Sequence, residues 1–281
     1  MIRSDPSIPR PVPQPPRDPL PDPLPDPAPD RPDDLPEPEQ VGFAAIGGAL
    51  ADGWRDFRRA PAFGLLFSAF YVAGGLVLAA VALASGQDWW LIPFILGFPL
   101  IAPFAAVGLY DVSRRIEAAE PLDWRAVTRV VFAQRNRQIP SMAMVILLLF
   151  MFWVFVAHTV FALFMGVSAL TNITSSPEVL LQGRGLVMLL VGTLVGAGFA
   201  GVLFCITVVG LPLLLEREVD FITAIITSFR AVGRNPAVML AWAAVIAGLL
   251  ALGILPMFLG LFVVLPVLGH ASWHMYRRLM P

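Results

Sequence analysis

Three histidines are the side chains of this sequence best suited to metal or acid–base chemistry: His158, His270 and His274. His270 and His274 are four residues apart, so on a helix they share one face and could supply half of a metal site. A haem–copper or zinc centre needs further ligands from other segments, and the sequence offers no third or fourth ligand. We therefore interpret His270 and His274 as weak metal candidates only. We expect hydrogen-bonded histidines, with no haem or other metal cofactor.

Other catalytic patterns are missing from the sequence. No glycine-rich phosphate loop follows a strand, and no Ser, His and acid set can be assembled from it. Cys205 is the single cysteine, which rules out an internal disulfide and favours a small buried apolar side chain. The sequence therefore favours a protein that is not an enzyme.

Composition and the grouping of apolar residues set the class of protein. The chain of 281 residues is 57% hydrophobic and 14% charged, with a mean hydropathy of +0.76. A membrane-spanning helix needs about 20 apolar residues. Six segments meet this need, which predicts an all-α polytopic membrane bundle of six transmembrane helices in three hairpins. The spans are about 62–84, 90–110, 139–165, 186–215, 237–254 and 256–276. The last two are divided by a tight turn at Gly253–Pro256.

Arginines are placed asymmetrically between these spans. Fourteen arginines lie before span one, after spans two and four, and at the C-terminus, whereas only Arg184 lies in the opposite loops. Positive residues remain cytoplasmic during insertion. We therefore predict a multi-pass protein of the bacterial inner membrane with both termini in the cytoplasm, and no nucleic-acid partner.

Two apolar segments end alike, in an aromatic residue followed by an arginine pair. At membrane edges, arginines meet lipid phosphates and amphipathic rings lie at headgroup depth. We therefore predict an interface with anionic lipid headgroups. Its anchors are Tyr110, Arg114, Arg115, Trp273, Arg277 and Arg278. Acidic residues nearby are expected to balance the arginines, with Asp111 and Glu216 pairing with arginines near the membrane edge.

Each odd-numbered span follows an arginine and a proline, in RRAP (58–61), RNRQIP (135–140) and GRNP (233–236). A weakly amphipathic stretch precedes each of these elbows, which predicts three cytoplasmic interfacial helices. Their apolar stripes include Ile46 to Phe57, Trp124 to Val131 and Ile222 to Val232. The unit is repeated three times either through divergent duplication or through the general requirements of membrane insertion.

Residues 1–40 differ from the remainder, residues 41–281, in composition. They alternate proline with polar residues and contain nine acidic and four basic residues. Proline prevents both helix and sheet here, so we expect a disordered, polyproline-rich acidic tail. The tail is either a stiff spacer or a ligand for an aromatic groove of a partner.

The segments GLYDVSRRIEAAEPLDW, GLPLLLEREVDFITAIITSFRAVGRNP and LPVLGHASWHMYRRL resemble motifs of a bacterial family of predicted integral membrane proteins of unknown function. Some members are labelled putative cytochrome c oxidase. The resemblance covers roughly residues 43–281. It implies the membrane fold and supplies no mechanism.

Three functions remain open from the sequence. The first is a non-enzymatic scaffold, assembly or lipid-interacting component that acts alone, as a homo-oligomer or within a membrane complex. The second is a transporter or facilitator for a small solute, which would require a polar cavity at mid-depth. The third, an accessory protein of a respiratory oxidase, is implied only by the resemblance.

Overall fold

The computed structural model describes residues 35–85, 103–133, 138–166 and 183–281, and within these ranges the regular structure is helical, without strands. The all-α class is therefore confirmed for the described residues. The helices are α1 (Ala44–Arg59), α2 (Pro61–Ser85), α3 (Pro103–Glu117), α4 (Trp124–Ala133), α5 (Ile139–Met165), α6 (Gly183–Thr207), α7 (Gly210–Glu216), α8 (Phe221–Arg234), α9 (Pro236–Ile254) and α10 (Leu261–Leu279).

Four helical segments among the described residues are long and apolar enough to cross a membrane: Pro61–Val81, Ile139–Met165, Gly183–Glu216 and Pro236–Ile254. They correspond to predicted spans one, three, four and five. Six spans are not confirmed. Most of span two falls on residues 86–102, outside the described residues. Span six corresponds to α10, which is not among these four segments.

The predicted proline elbows coincide with helix starts. α2 begins at Pro61, α9 begins at Pro236, and Pro140 is the second residue of α5. Proline suits the first helical turn because its missing N–H would have no intrahelical partner there. Arg135 and Arg137, which precede Pro140, lie outside the described residues.

The helix predicted as span four is interrupted near one end. α6 ends at Thr207, and α7 begins at Gly210 two residues before Pro212, whose ring removes a backbone donor from the helix. The Ser228 hydroxyl of α8 accepts the Val209 N–H at 3.1 Å within the break. A continuous helix of 34 residues would measure about 51 Å, longer than the hydrocarbon layer of about 30 Å. The apolar side chains of α7 are accordingly buried inside the protein.

The turn predicted between spans five and six is present between α9 and α10. Residues 255–260 form it, with Met257 and Phe258 in the left-handed region at φ 52° and 65°. A Cβ on Gly260 would lie 2.7 Å from the Gly253 Cα. Only glycine permits this approach of the two helices.

α10 is the central helix of the described bundle, packing against α1, α2, α3 and α9. Ala271, Trp273, Met275 and Leu279 are fully buried in it. The sequence predicted a lipid-crossing span over 256–276, whereas the C-terminal half of α10 is enclosed by protein. The physical reason is its polar content, because histidines on this helix require partners that hydrocarbon cannot supply.

Residues 35–43 precede α1 and form a segment that we call the N-terminal strap. The amide of Asn235 fixes it, accepting the Val41 N–H at 2.8 Å and donating to the Glu39 carbonyl at 2.9 Å. The Glu39 N–H donates to the Leu279 carbonyl at 2.8 Å. The sequence assigned residues 35–40 to the tail, and the structure holds them against the ends of α8 and α10.

Candidate lipid-interface site

The arginine pair of α3 is bound within its own helix. Arg114 and Arg115 lie 2.7 and 2.8 Å from opposite oxygens of the Asp111 carboxylate, which is fully buried. Glu120 lies 3.1 Å from Arg115. Residues three and four apart on a helix are neighbours, so the sequence alone suggested the Asp111 pairing.

The second arginine pair, on α10, is bound to other helices. Arg277 lies 3.0 Å from Glu216 of α7 and 3.6 Å from Glu117 of α3. Arg278 lies 2.6 Å from Asp52 of α1 and donates to the His274 carbonyl at 2.8 Å. Burial raises the pKa of Asp52, but hydrogen bonds from Arg278 and Arg55 outweigh it and hold that pKa below the usual value.

The two predicted aromatic anchors are enclosed by protein. Tyr110 is 5% exposed and Trp273 is fully buried, with its indole N–H donating to Glu117 at 3.0 Å. Contact of these rings and of the four arginines with lipid headgroups stays a prediction. In the structure the four arginines are already paired with carboxylates of the protein, so a lipid phosphate would have to share them with these partners.

The histidine pair of α10 is divided between different partners. His270 Nδ1 lies 2.8 Å from the Ser113 hydroxyl of α3, and His274 Nε2 lies 2.7 Å from the Asp56 carboxylate of α1. All four residues are buried. His158 lies apart on α5 and bonds the Val154 carbonyl at 2.8 Å. Across the described ranges no group of three or more His, Cys, Asp or Glu side chains could hold a metal.

These contacts join four helices into what we call the polar network. Its members are Asp52, Asp56, Ser113, Glu117, Glu216, His270, Trp273, His274, Tyr276, Arg277 and Arg278. Tyr276 donates a short hydrogen bond to Glu216, which links α10 to α7. Sequence reasoning missed Asp56 and Ser113, because their partners lie 218 and 157 residues away and no local spacing indicates them.

Helix α8, which the sequence predicted to be interfacial, presents three large apolar side chains outward. Ile222, Ile226 and Phe229 are 55%, 46% and 44% exposed and share one face, which we call the α8 stripe. The opposite face is buried and consists of small residues: Ala224, Thr227, Ser228 and Ala231. An amphipathic helix of a soluble protein buries its apolar face. α8 does the reverse, which is the arrangement required next to hydrocarbon.

The start of α8 is fixed by a side-chain cap. The Asp220 carboxylate accepts the N–H groups of Ile222 and Thr223, each at 2.9 Å. The hydrogen bond from the Thr223 hydroxyl, assisted by these backbone donors, lowers the pKa of Asp220. The cap sets where the helix begins, and therefore which way the α8 stripe points.

The other two helices predicted to be interfacial, α1 and α4, also carry exposed aromatic and cationic side chains. Trp54 of α1 is 46% exposed, and Trp124 of α4 is 40% exposed while stacking on Phe63 at a ring distance of 3.9 Å. Five arginines on α1, α4 and α8 are exposed and have no ion-pair partner among the residues that the structure describes. They are Arg58, Arg59, Arg125, Arg129 and Arg230. These side chains, with the α8 stripe, form the candidate lipid-interface site.

Comparison with known families identifies the central part of the chain. Residues 91–216 match the model of a family described as predicted integral membrane protein (DUF2189). Residues 91–216 are similar to this family, and we refer to them as the DUF2189 region. The resemblance inferred from the sequence is thereby confirmed, over a shorter range than the predicted 43–281. Of the motifs quoted above, 108–124 lies wholly inside the DUF2189 region and 265–279 lies outside it. No curated protein and no solved structure matches the chain.

Proposed function

We propose that this chain is a non-enzymatic structural component of the bacterial inner membrane that binds lipid through its interfacial helices and serves as a scaffold. The α8 stripe carries the proposal. Three large apolar side chains lie on the outer face of a helix whose inner face is made of small residues. Exposing this stripe to water would be unfavourable, whereas inserting it at the headgroup–acyl boundary removes it from water.

The polar network supports a placement of the charged segments on the same side of the membrane. Asp52 precedes the first candidate span, Glu216 ends the Gly183–Glu216 span, and Arg277 lies at the end of α10, yet direct or shared contacts join them. Segments in mutual contact lie on the same side of a bilayer. With the asymmetry of the arginines, this favours a cytoplasmic position for the network and for both termini.

The cleft between α5 and α6 favours the structural role over solute transport. Its volume is about 170 Å³, and its lining is apolar: Ile146, Leu149, Phe150, Trp153, Gly196, Phe199, Ala200 and Leu203. A solute pathway needs polar or ionisable groups facing a hydrated cavity. Acyl chains or a neighbouring helix fit such a lining better than a hydrophilic solute.

Spin labelling of the full chain in bilayers tests the lipid contact. In a Cys205→Ala background, one nitroxide replaces Ile226 and another replaces Ala118, an exposed residue after α3. Collisions with oxygen, which partitions into hydrocarbon, should dominate for the label at 226. Collisions with a water-soluble nickel chelate should dominate at 118. Equal nickel accessibility at both positions would contradict the proposal.

A further inference from the structure

A cleft of about 250 Å³ lies between the N-terminal strap and one flank of α8. Among the described residues, two segments line it: the strap supplies Leu35, Pro36, Glu37 and Pro38, and α8 supplies Thr227, Arg230, Gly233 and Arg234. The strap is held in position by Asn235 and Leu279. The cleft is therefore built by tertiary contacts and is not a gap in a loose chain end.

The two arginines of the cleft are in different states. Arg234 is paired with Glu37 at 2.5 Å. Arg230 is exposed and has no ion-pair or hydrogen-bond partner in the described part of the chain. The described lining of the cleft therefore contains two positive charges and one negative charge, and the Arg230 guanidinium is the one left without a partner in it. The net charge of this lining complements a monoanion.

The cleft adjoins the α8 stripe. Arg230 directly follows Phe229 of the stripe and lies on the neighbouring flank of the helix. Gly233 adds no side chain, and a Cβ there would meet nothing within 4 Å. An amphiphile can therefore contact the apolar stripe and reach the unpaired guanidinium at the same time.

We propose that this cleft binds the headgroup of an anionic phospholipid, with the phosphodiester on Arg230 and the acyl chains along the α8 stripe. A guanidinium and a phosphate form charge-assisted hydrogen bonds. Glu37 would repel a dianionic phosphate but can accept a hydrogen bond from a headgroup hydroxyl. The chemistry thus selects a singly charged, hydroxyl-bearing headgroup such as phosphatidylglycerol. The inference rests on the proposed function and names the lipid class that it recognises.

Thermal unfolding of the full chain in neutral detergent tests the site. Phosphatidylglycerol should raise the unfolding temperature more than phosphatidylcholine does. Arg230→Gln should weaken the apparent phosphatidylglycerol affinity about tenfold, as expected for the loss of one charged hydrogen bond. Gly233→Leu should weaken it by filling the cleft without changing charge. Arg184→Gln, which removes an exposed arginine of α6 outside the candidate lipid-interface site, is the matched control and should change it little.

Several outcomes would contradict the proposed headgroup site without contradicting the lipid contact of α8. One is equal loss of affinity in Arg230→Gln and Arg184→Gln, which would indicate general surface charge. Another is equal stabilisation by inorganic phosphate, which would assign the cleft to free anion. Loss of the phosphatidylglycerol effect on deletion of residues 1–34 would assign the effect to the tail. The spin-label result at Ile226 is independent of all three, so the two proposals fail separately.

Discussion

At the scale of single residues, the Asp56–His274 pair is the most informative contact. Asp56 is 3% exposed and His274 is 9% exposed, yet neither residue stands out in the sequence as buried. A buried polar group costs little when it is hydrogen-bonded and much when it is not. The pair therefore fixes how α1 is seated against α10.

Asp56→Ala should destabilise the protein because it leaves the His274 imidazole buried without its partner. We expect a loss of about 2 kcal/mol in the free energy of unfolding. Asp56→Asn should lose less, since the amide can still hydrogen-bond to the imidazole. Chemical unfolding in detergent micelles, followed by tryptophan fluorescence, measures both.

Asp52→Ala is the matched control for this prediction. Asp52 also binds α10, through Arg278, but its side chain is 24% exposed. Partly exposed ion pairs contribute under about 1 kcal/mol. Equal destabilisation by the two alanine variants would show that burial of the Asp56–His274 pair is not what matters.

At the scale of elements, the crossing of α1 over α10 depends on one glycine. A Cβ at Gly53 would lie 2.6 Å from the Ala271 nitrogen and 2.7 Å from the Val267 oxygen. Both are backbone atoms, so the contact cannot be relieved by a side-chain rotation. The helices can pack at this distance only because position 53 lacks a side chain.

Gly53→Ala should therefore force α1 away from α10 and destabilise the fold by about 1–3 kcal/mol, the usual cost of overpacking. Gly47→Ala on the same helix is the control, because a Cβ there meets nothing within 4 Å. The control should be neutral or stabilising by up to about 1 kcal/mol through its higher helix propensity. Size-exclusion profiles after heating compare the two, and identical profiles would refute the close crossing.

The interfacial helices show how far sequence patterns extend at this scale. The spacing of apolar residues on α8 predicted one stripe of Ile222, Ile225, Ile226, Phe229 and Val232. Ile222, Ile226 and Phe229 are exposed on one face, whereas Ile225 and Val232 are partly buried against the core. The pattern could not state whether the stripe faces protein or lipid. That depends on the small opposite face, where Ala224 and Ala231 pack closely against the rest of the bundle.

At the scale of the whole molecule, the polar network connects segments that are far apart in sequence. Contacts join α1, α3, α7 and α10 through charged side chains, which lie at the ends of α3, α7 and α10 and in the middle of α1. A bilayer could not separate these segments without breaking the contacts. The network thus constrains the topology, which hydropathy alone defines less well.

Labelling with a membrane-impermeant maleimide should therefore give the same result at two sites that are distant in sequence. In a Cys205→Ala background, cysteines at Ala118 and Glu218 should react only after cells are permeabilised, because the predicted topology places both on the cytoplasmic side. Arg184→Cys should react in intact cells, since the predicted topology places Arg184, at the start of α6, on the opposite side. Reaction of 118 and 218 from different sides would contradict both the network and the predicted topology.

The sequence by itself determined the membrane class, the helix starts at Pro61 and Pro236, the turn after Gly253 and the pairing of Asp111 with its neighbouring arginines. These features are local: they follow from apolar length, from the missing proline N–H and from helical spacing. Only the tertiary structure decided that α10 is the core helix, that His270 and His274 have separate partners, and that Arg230 lies beside the strap with no ion-pair partner among the described residues. Each of these depends on contacts between segments distant in sequence, and no residue pattern encodes which distant partner satisfies a buried polar group.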